Sequence, residues 1–431
     1  MAERLPATLR AYRRLAAAAM PFAPLVLRQR MRRGKENPER ICERRGESRL
    51  RRPHGPLVWV HGASVGEILA IIPLVDRIRV RGFNVLVTSG TTTSAELAAR
   101  RLPAGVIHQF VPLDAPRFIA RFLDHWRPGL ALIAESDLWP NTILESTARG
   151  IPLILINGRL SERSYTRWRK APATIAALLE RFDLCLAQSA HDAERYSELG
   201  APRVSMTGNL KLDVPAPPAD AAKLAAVQGA VDRRPLVVAA STHPGEEGAV
   251  IEAHLRLRRS FRGLLTIVVP RHPERGAGVG NIADVAGLAS AMRSRGDLPQ
   301  RNTEIYVADT IGELGLIYRL APIVFMGGSL VRHGGQNPIE AAKLGTAILH
   351  GPHVWNFADI YSALDTARGA KEVDDADKLT ALIGAWLTDA HLRETVAEAA
   401  LKTVEVLGGA LDRTLSAIDP YLMQLRLEYR A

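Results

Sequence analysis

Leu57-Val-Trp-Val-His-Gly-Ala-Ser-Val-Gly-Glu67 passes from an apolar run, through a loop of small residues, into a helical pattern over 67–80. That order reads as strand, tight turn and helix. The small side chains of Gly62, Ala63, Ser64 and Gly66 let backbone N–H groups approach an anion at the helix N-terminus. Apolar runs of four to six residues without strict alternation fit strands covered on both faces, and therefore a parallel sheet.

The same unit recurs along the chain. Strand patterns are expected at 57–61, 84–88, 106–111, 130–134, 153–156, 184–187 and 204–206, with helical patterns between them, including 94–102, 115–125 and 191–199. The stretch Val214-Pro-Ala-Pro-Pro-Ala-Asp220 then reads as a linker. Beyond it the alternation resumes at 236–239, 265–269, 305–307, 323–326, 347–349 and, more weakly, 372–373. The expected organisation is a basic segment over 1–52, a Rossmann-like domain over 53–213, a linker over 214–223 and a second Rossmann-like domain over 224–431, with a final helix free to pack back on the first domain. Two doubly wound α/β domains should hold a cleft between them, with ligands at strand carboxyl ends.

Composition sets the outer bounds. The 431 residues are 47% hydrophobic, 23% charged and 5% aromatic, which excludes wholesale disorder, a collagen-like fibre and a polytopic membrane protein. Cys42 and Cys185 are too few for a disulfide framework and lack zinc spacing, which favours a reducing, cytoplasmic-side location. The net charge of +11 is concentrated at one end. Residues 1–52 hold 15 basic and 5 acidic residues, leaving 41 basic and 40 acidic residues for the rest. A polyanion groove along the whole fold is therefore not expected, nor is a nucleic-acid partner.

Within the basic segment lies the apolar run Leu15–Leu27, flanked by Arg10, Arg13, Arg14, Arg28, Arg30, Arg32 and Arg33. As helix it would span about 20 Å against a hydrocarbon core of about 30 Å, and Pro21 and Pro24 disfavour a regular spanning helix. The reading is a monotopic segment on an anionic membrane surface. The plainer alternative is a basic helix packed on the domain.

Chemistry-bearing residues cluster at strand ends. Glu67 stands in a first helical turn, as a general base or as a cap. Glu135 and Asp137 follow the strand at 130–134, as working acids or as helix-capping ones. Arg159 and Arg163 are spaced to share a helix face and hold an anion, or form a solvated charge run. Lys211 precedes the linker, where an ammonium can meet charge building on a leaving phosphate. In the second half, Arg271 and His272 follow a strand, and paired glycines at 327–328 and 334–335 permit close backbone approach to a ligand. Asn337 and Pro338 open a helix whose Glu340 can accept ribose hydroxyls. No GxGxxG follows a first strand, so a nucleotide-sugar is expected rather than a dinucleotide. Asp374, Asp375 and Asp377 read as a capping turn and His350 and His353 as poor zinc ligands, so no metal is expected.

An ordered set of motifs then carries a resemblance: HGASVGE at 61–67, ESDLWPN at 135–141, NGRLSERS at 157–164, GNLKLD at 208–213, STHPGEE at 241–247, PRHPER at 270–275, DTIGEL at 309–314 and GGSLVRHGGQNPIEAA at 327–342. Together they resemble the 3-deoxy-D-manno-octulosonic acid (Kdo) transferases of lipopolysaccharide assembly, from about residue 36 to the C-terminus. The resemblance implies a GT-B glycosyltransferase without a cofactor, on the cytoplasmic face of the inner membrane, with CMP-Kdo as donor and a tetraacylated lipid A precursor as acceptor. It implies inverting, metal-independent transfer. By motif, Glu67 looks like the general base, and Glu135 and Lys211 look like transition-state stabilisers. The CMP contacts look like Pro270 and Arg271, then Ile311, Gly312 and Glu313, then Asn337, Pro338, Ile339 and Glu340. Asp137 replaces the family's usual second Glu, and Thr91-Thr92-Thr93-Ser94 replaces its Thr-Pro-Thr-Gly. Competing readings are a UDP-sugar transferase or epimerase of the same architecture, and a non-catalytic membrane scaffold.

Overall fold

The computed structural model describes residues 5–429. The chain divides into two compact units, the first running to Val214 and taking up the chain again from Gly408, the second spanning Pro215–Leu407. Each unit is built on a seven-stranded sheet with parallel pairing throughout.

In the first unit the strands are β1 (Leu57–His61), β2 (Asn84–Ser89), β3 (Ile107–Phe110), β4 (Leu130–Ala134), β5 (Leu153–Gly158), β6 (Leu184–Ala187) and β7 (Val204–Met206), in the order β3-β2-β1-β4-β5-β6-β7. The strand order reverses between β1 and β4, and the carboxyl ends of those two strands form the switch point where open α/β sheets bind ligands. Successive residues of β1 serve opposite faces. Leu57 and Trp59 pack with Phe122 and Trp126, whereas Val58 and Val60 pack with Ile68, Ile71 and Leu74 of the helix Val65–Val80. Burial on both sides is why this strand shows no polar alternation.

The final helix, Ala410–Glu428, belongs to the first unit because Leu415, Ile418, Leu422 and Leu425 join the core on the Val58 face. At the other end of the chain, a helix (Ala7–Ala19), a 3-10 turn (Met20–Phe22) and a second helix (Ala23–Arg32) also build on this unit. Leu9 is buried in the Trp59 core, and the Tyr12 hydroxyl donates to Asp114 at 3.0 Å. Leu15, Phe22, Leu25 and Val26 remain exposed. Among the described residues no helix is long and apolar enough to cross a membrane.

The second unit carries β8 (Leu236–Thr242), β9 (Leu265–Pro270), β10 (Ser290–Met292), β11 (Ile305–Val307), β12 (Ile323–Met326), β13 (Ala347–His350) and β14 (Ala370–Glu372), ordered β10-β11-β9-β8-β12-β13-β14. Its switch point lies between β8 and β12. Asp220 caps the helix Ala221–Val231 through the Lys223 N–H, so helix takes over three residues before the expected end of the linker. Edge strand β10 has no counterpart among the expected strands, being three residues of modest hydrophobicity.

The docking of the last helix should be measurable. Ile418→Ala empties a fully buried position and should cost about 2–5 kcal/mol of first-unit stability in urea unfolding. A loss below about 1 kcal/mol would contradict the packing described.

Candidate active site

The loop after β1 is held from two sides. Ser64 caps the helix Val65–Val80 by accepting the Glu67 N–H at 3.3 Å, and Glu67 Oε1 accepts the Ser64 hydroxyl at 2.7 Å. Glu67 Oε2 accepts the Ala63 N–H at 2.8 Å. Ala63 is fixed in turn, since its carbonyl accepts the Gly90 N–H at 3.0 Å and the Ser94 hydroxyl at 3.3 Å. Thus Thr91–Ser94, which departs from the family pattern, forms a capping box that also steadies the Glu67 loop. The capping reading of Glu67 is realised, and it does not exhaust the residue. Burial, then the nearby charge of Glu135, push its carboxyl above the usual carboxylate range, and Asp137 adds to the rise. The hydrogen bonds from Ser64 and Ala63 act the other way.

Glu135 follows β4 with φ +57°, a left-handed conformation that is uncommon for a residue with a side chain. Its N–H donates to the Ile156 carbonyl at 3.0 Å, and its carbonyl accepts the Tyr196 hydroxyl at 3.2 Å. Its carboxylate meets Lys211, with Nζ 2.7 Å from Oε1 and each side chain about one-fifth exposed. Lys211 sits in the 3-10 turn Leu210–Leu212, where Asn209 Oδ1 accepts the Lys211 N–H at 3.0 Å. The two residues expected to act on the transition state are therefore an ion pair. Asp137 Oδ2 lies 3.0 Å from His61 Nε2, and His61 Nδ1 lies 2.8 Å from the Thr88 hydroxyl, which accepts the Trp59 indole N–H. With Thr88 donating to Nδ1, the Nε2–H donates to Asp137.

One expectation is corrected. The helix Glu162–Arg169 begins after its cap Ser161, so Arg159 precedes it and does not share a helix face with Arg163.

In the second unit the expected donor-binding residues lie along one rim, because β11, β9, β8 and β12 are neighbours in the sheet. Pro270 ends β9, and the Arg271 N–H donates to the Thr242 carbonyl at 3.0 Å. Burial raises the Glu340 carboxyl, while the charges of Arg271 and Lys343 oppose the rise. Asn337 Oδ1 accepts the Ile339 N–H at 3.0 Å and opens the short helix Ile339–Lys343 after Pro338. Ile311 is exposed, and Gly312 has φ +84°. Glu313 is already engaged by Arg293 at 2.8 and 3.0 Å, Lys223 at 3.0 Å and Thr310 at 2.6 Å. Arg293 foremost holds its carboxyl down at about 2. The turn is thereby rigid, with its carboxylate committed to its own chain.

Sequence reasoning left Glu246 without a role. It is fully buried and accepts N–H groups from His243, Gly328, Ser329 and Leu330 at 2.6–3.0 Å, tying the loop after β8 to the glycine turn after β12. The His243 ring stacks on His333 with centroids 3.7 Å apart; burial, then the neighbouring His333, His272, Arg271 and Arg275, hold its pKa down at about 4. Among the acids set aside as a capping turn, Asp375 caps the helix Ala376–Thr388. No metal-holding group of His, Cys, Asp and Glu occurs among the described residues.

Comparison with solved structures defines the class. A glycosyltransferase from Rickettsia africae matches with a TM-score of 0.60 and 13% identity, over 86% of this chain and 99% of that one. A putative UDP-N-acetylglucosamine 2-epimerase from Listeria monocytogenes matches with a TM-score of 0.57 and 14% identity, over 86% and 98%. Those likenesses establish the two-unit, doubly wound α/β fold. Sequence then narrows it. The profile of the 3-deoxy-D-manno-octulosonic-acid transferase (kdotransferase) family matches residues 36–214. The 3-deoxy-D-manno-octulosonic acid transferase of Haemophilus influenzae is 34% identical over 393 residues, 89% of this chain and 92% of that protein. That of Rickettsia bellii is 31% identical over 417 residues, 96% and 99%. The chain belongs to the Kdo transferase family and is a glycosyltransferase.

Proposed function

We propose that the enzyme transfers Kdo from CMP-Kdo to the tetraacylated lipid A precursor lipid IVA in lipopolysaccharide core biosynthesis, with inversion and without a metal. Family membership supports Kdo as the transferred sugar. The observation that carries the mechanism is the Glu67 carboxylate, of raised proton affinity, beside the Glu135–Lys211 pair at the switch point of the first sheet.

In this reading Glu67 takes the proton of an acceptor hydroxyl. The hydroxyl oxygen bonds to the anomeric carbon from the face opposite the leaving group, and the bond from that carbon to the phosphate oxygen breaks, its electron pair leaving with CMP. Glu135 stabilises cationic character on the sugar, and Lys211 meets the negative charge of the departing phosphate. The nucleotide would be held by Pro270 and Arg271, Ile311 to Glu313, and Asn337 to Glu340. With the Glu313 carboxylate bound to Arg293 and Lys223, the backbone of Ile311 and Gly312 is the available contact in that turn. The N-terminal helices would lie on the cytoplasmic face of the inner membrane. Leu15, Phe22 and Leu25 would enter the interface while flanking arginines meet anionic headgroups.

Incubation with CMP-Kdo and lipid IVA should give a Kdo-bearing lipid by mass spectrometry. Glu67→Gln, which keeps an oxygen acceptor for the Ala63 N–H, should lower turnover by about 10²–10⁴-fold while calorimetry finds CMP affinity unchanged. In the wild type, kcat/KM should fall towards acid with an apparent pKa above the ordinary glutamate value of about 4.3, because the base must be ionised. Turnover of Glu67→Gln within tenfold of wild type would remove Glu67 as the base. For the membrane, replacing Leu15, Phe22 and Leu25 together by Ser should reduce flotation with anionic vesicles at least about tenfold, as each apolar side chain contributes roughly 1.5–3 kcal/mol when buried. Equal flotation would leave the segment as a helix packed on the domain.

A further inference from the structure

Lys211 reaches Glu135 from a turn that lies far from β4 in the chain, so something must fix the height of that turn against the sheet. Residue 157, near the end of β5, does so. Asn157 is 1% exposed and has φ +52°, a left-handed conformation that Asn and Asp tolerate better than other residues with side chains. Its Oδ1 accepts the Leu210 N–H at 2.9 Å, one residue before Lys211. The preceding carbonyl, of Ile156, accepts the Glu135 N–H at 3.0 Å, and its own carbonyl accepts Gln188 Nε2 at 3.0 Å. Two consecutive residues of β5 therefore hold Glu135 and the turn that carries Lys211, one by backbone and one by side chain. The far end of the turn is tied as well: the Asp213 carboxylate accepts the N–H groups of Gly409 and Leu411 at 2.7 and 2.6 Å, where the final helix begins.

The chemistry at 157 is specific. Among the described residues Nδ2 is buried without a hydrogen-bond partner, a state that costs stability. An apolar side chain would remove that cost and lose the Leu210 acceptor. A residue kept in a strained backbone conformation with an orphaned donor marks a position where geometry outweighs stability.

We propose that Asn157 is a positioning residue for catalysis, its side-chain carbonyl setting the Asn209–Leu212 turn so that the Lys211 ammonium is presented at Glu135. The inference rests on the reading of Lys211 as the group that meets the leaving phosphate. Asn157→Gly keeps the positive φ without strain and deletes the acceptor; Asn157→Asp keeps the positive φ and restores an acceptor oxygen. In Kdo transfer to lipid IVA, Asn157→Gly should lower kcat about 10–100-fold with KM for CMP-Kdo within about threefold, since small misplacements of catalytic groups act on the chemical step. Asn157→Asp should recover at least about tenfold of a full loss. In a Lys211→Ala background, Asn157→Gly should add less than about twofold, because the two residues act as one unit.

A loss that multiplies undiminished in that background, or Asn157→Gly turnover within twofold of wild type, overturns the proposal. A second measurement does not depend on the substrate: the rate of acylation of the Lys211 amine by a water-soluble ester, followed by peptide mass spectrometry. Freed from Glu135, the amine should react several-fold faster in Asn157→Gly than in wild type and near the wild-type rate in Asn157→Asp. An unchanged rate in Asn157→Gly refutes the positioning role. A labelling difference between Asn157→Gly and wild type, with no Kdo transferred by the wild type, refutes the functional reading and leaves the positioning of Lys211 standing.

Discussion

Three carboxylates, those of Glu67, Glu135 and Asp137, gather at the carboxyl ends of β1 and β4, and the Lys211 ammonium 2.7 Å from Glu135 is what makes that arrangement tolerable. Like charges in partly desolvated surroundings repel strongly, so a counter-charge must be placed and kept there. At about one-fifth exposure the pair lies between the surface case, worth about 0–1 kcal/mol, and the buried case, where removing one partner costs about 3–5 kcal/mol. Asp137 is met by a hydrogen bond from His61, which is anchored through Thr88 to the buried Trp59.

The sheet supplies the geometry. A strand order that reverses between β1 and β4 sends the following chain to opposite sides and opens space at the carboxyl edge. Glu67 and Glu135 each stand just beyond one of those strands. The second unit repeats the device between β8 and β12, where the buried Glu246 binds the glycine turn. The strand ends that carry Glu67 and Glu135 are thus held in place by the sheet registers.

Much of the frame was legible in the residues because a strand buried on both faces leaves an unbroken apolar run, as Leu130–Ala134 does, and because Glu67 stands where a first helical turn favours a carboxylate. Glu135 and Asp137 were legible as strand-end acids and Lys211 as a residue just before the linker. What escaped was the wiring. His61 meets Asp137 across 76 residues, and Asn157 meets Leu210 across 53, with no periodic pattern linking them. Lys211 was read as facing a phosphate, with no hint that Glu135 already holds it. The arginine pair at 159 and 163 misled because spacing gives a shared face only where a helix is present, and Ser161 starts that helix between them. That Arg293 and Lys223 engage the Glu313 carboxylate was likewise not legible, since those contacts are set by tertiary structure alone.

The account turns on Glu67 being a carboxylate whose proton affinity is raised by burial and by Glu135. A ¹³C titration of the Glu67 carboxyl, in wild type and in Glu135→Gln, measures this directly. The midpoint should lie above the ordinary value of about 4.3 in the wild type and fall when the Glu135 charge is removed. A midpoint at or below that value, unmoved by Glu135→Gln, would show that residue 67 is a helix cap alone.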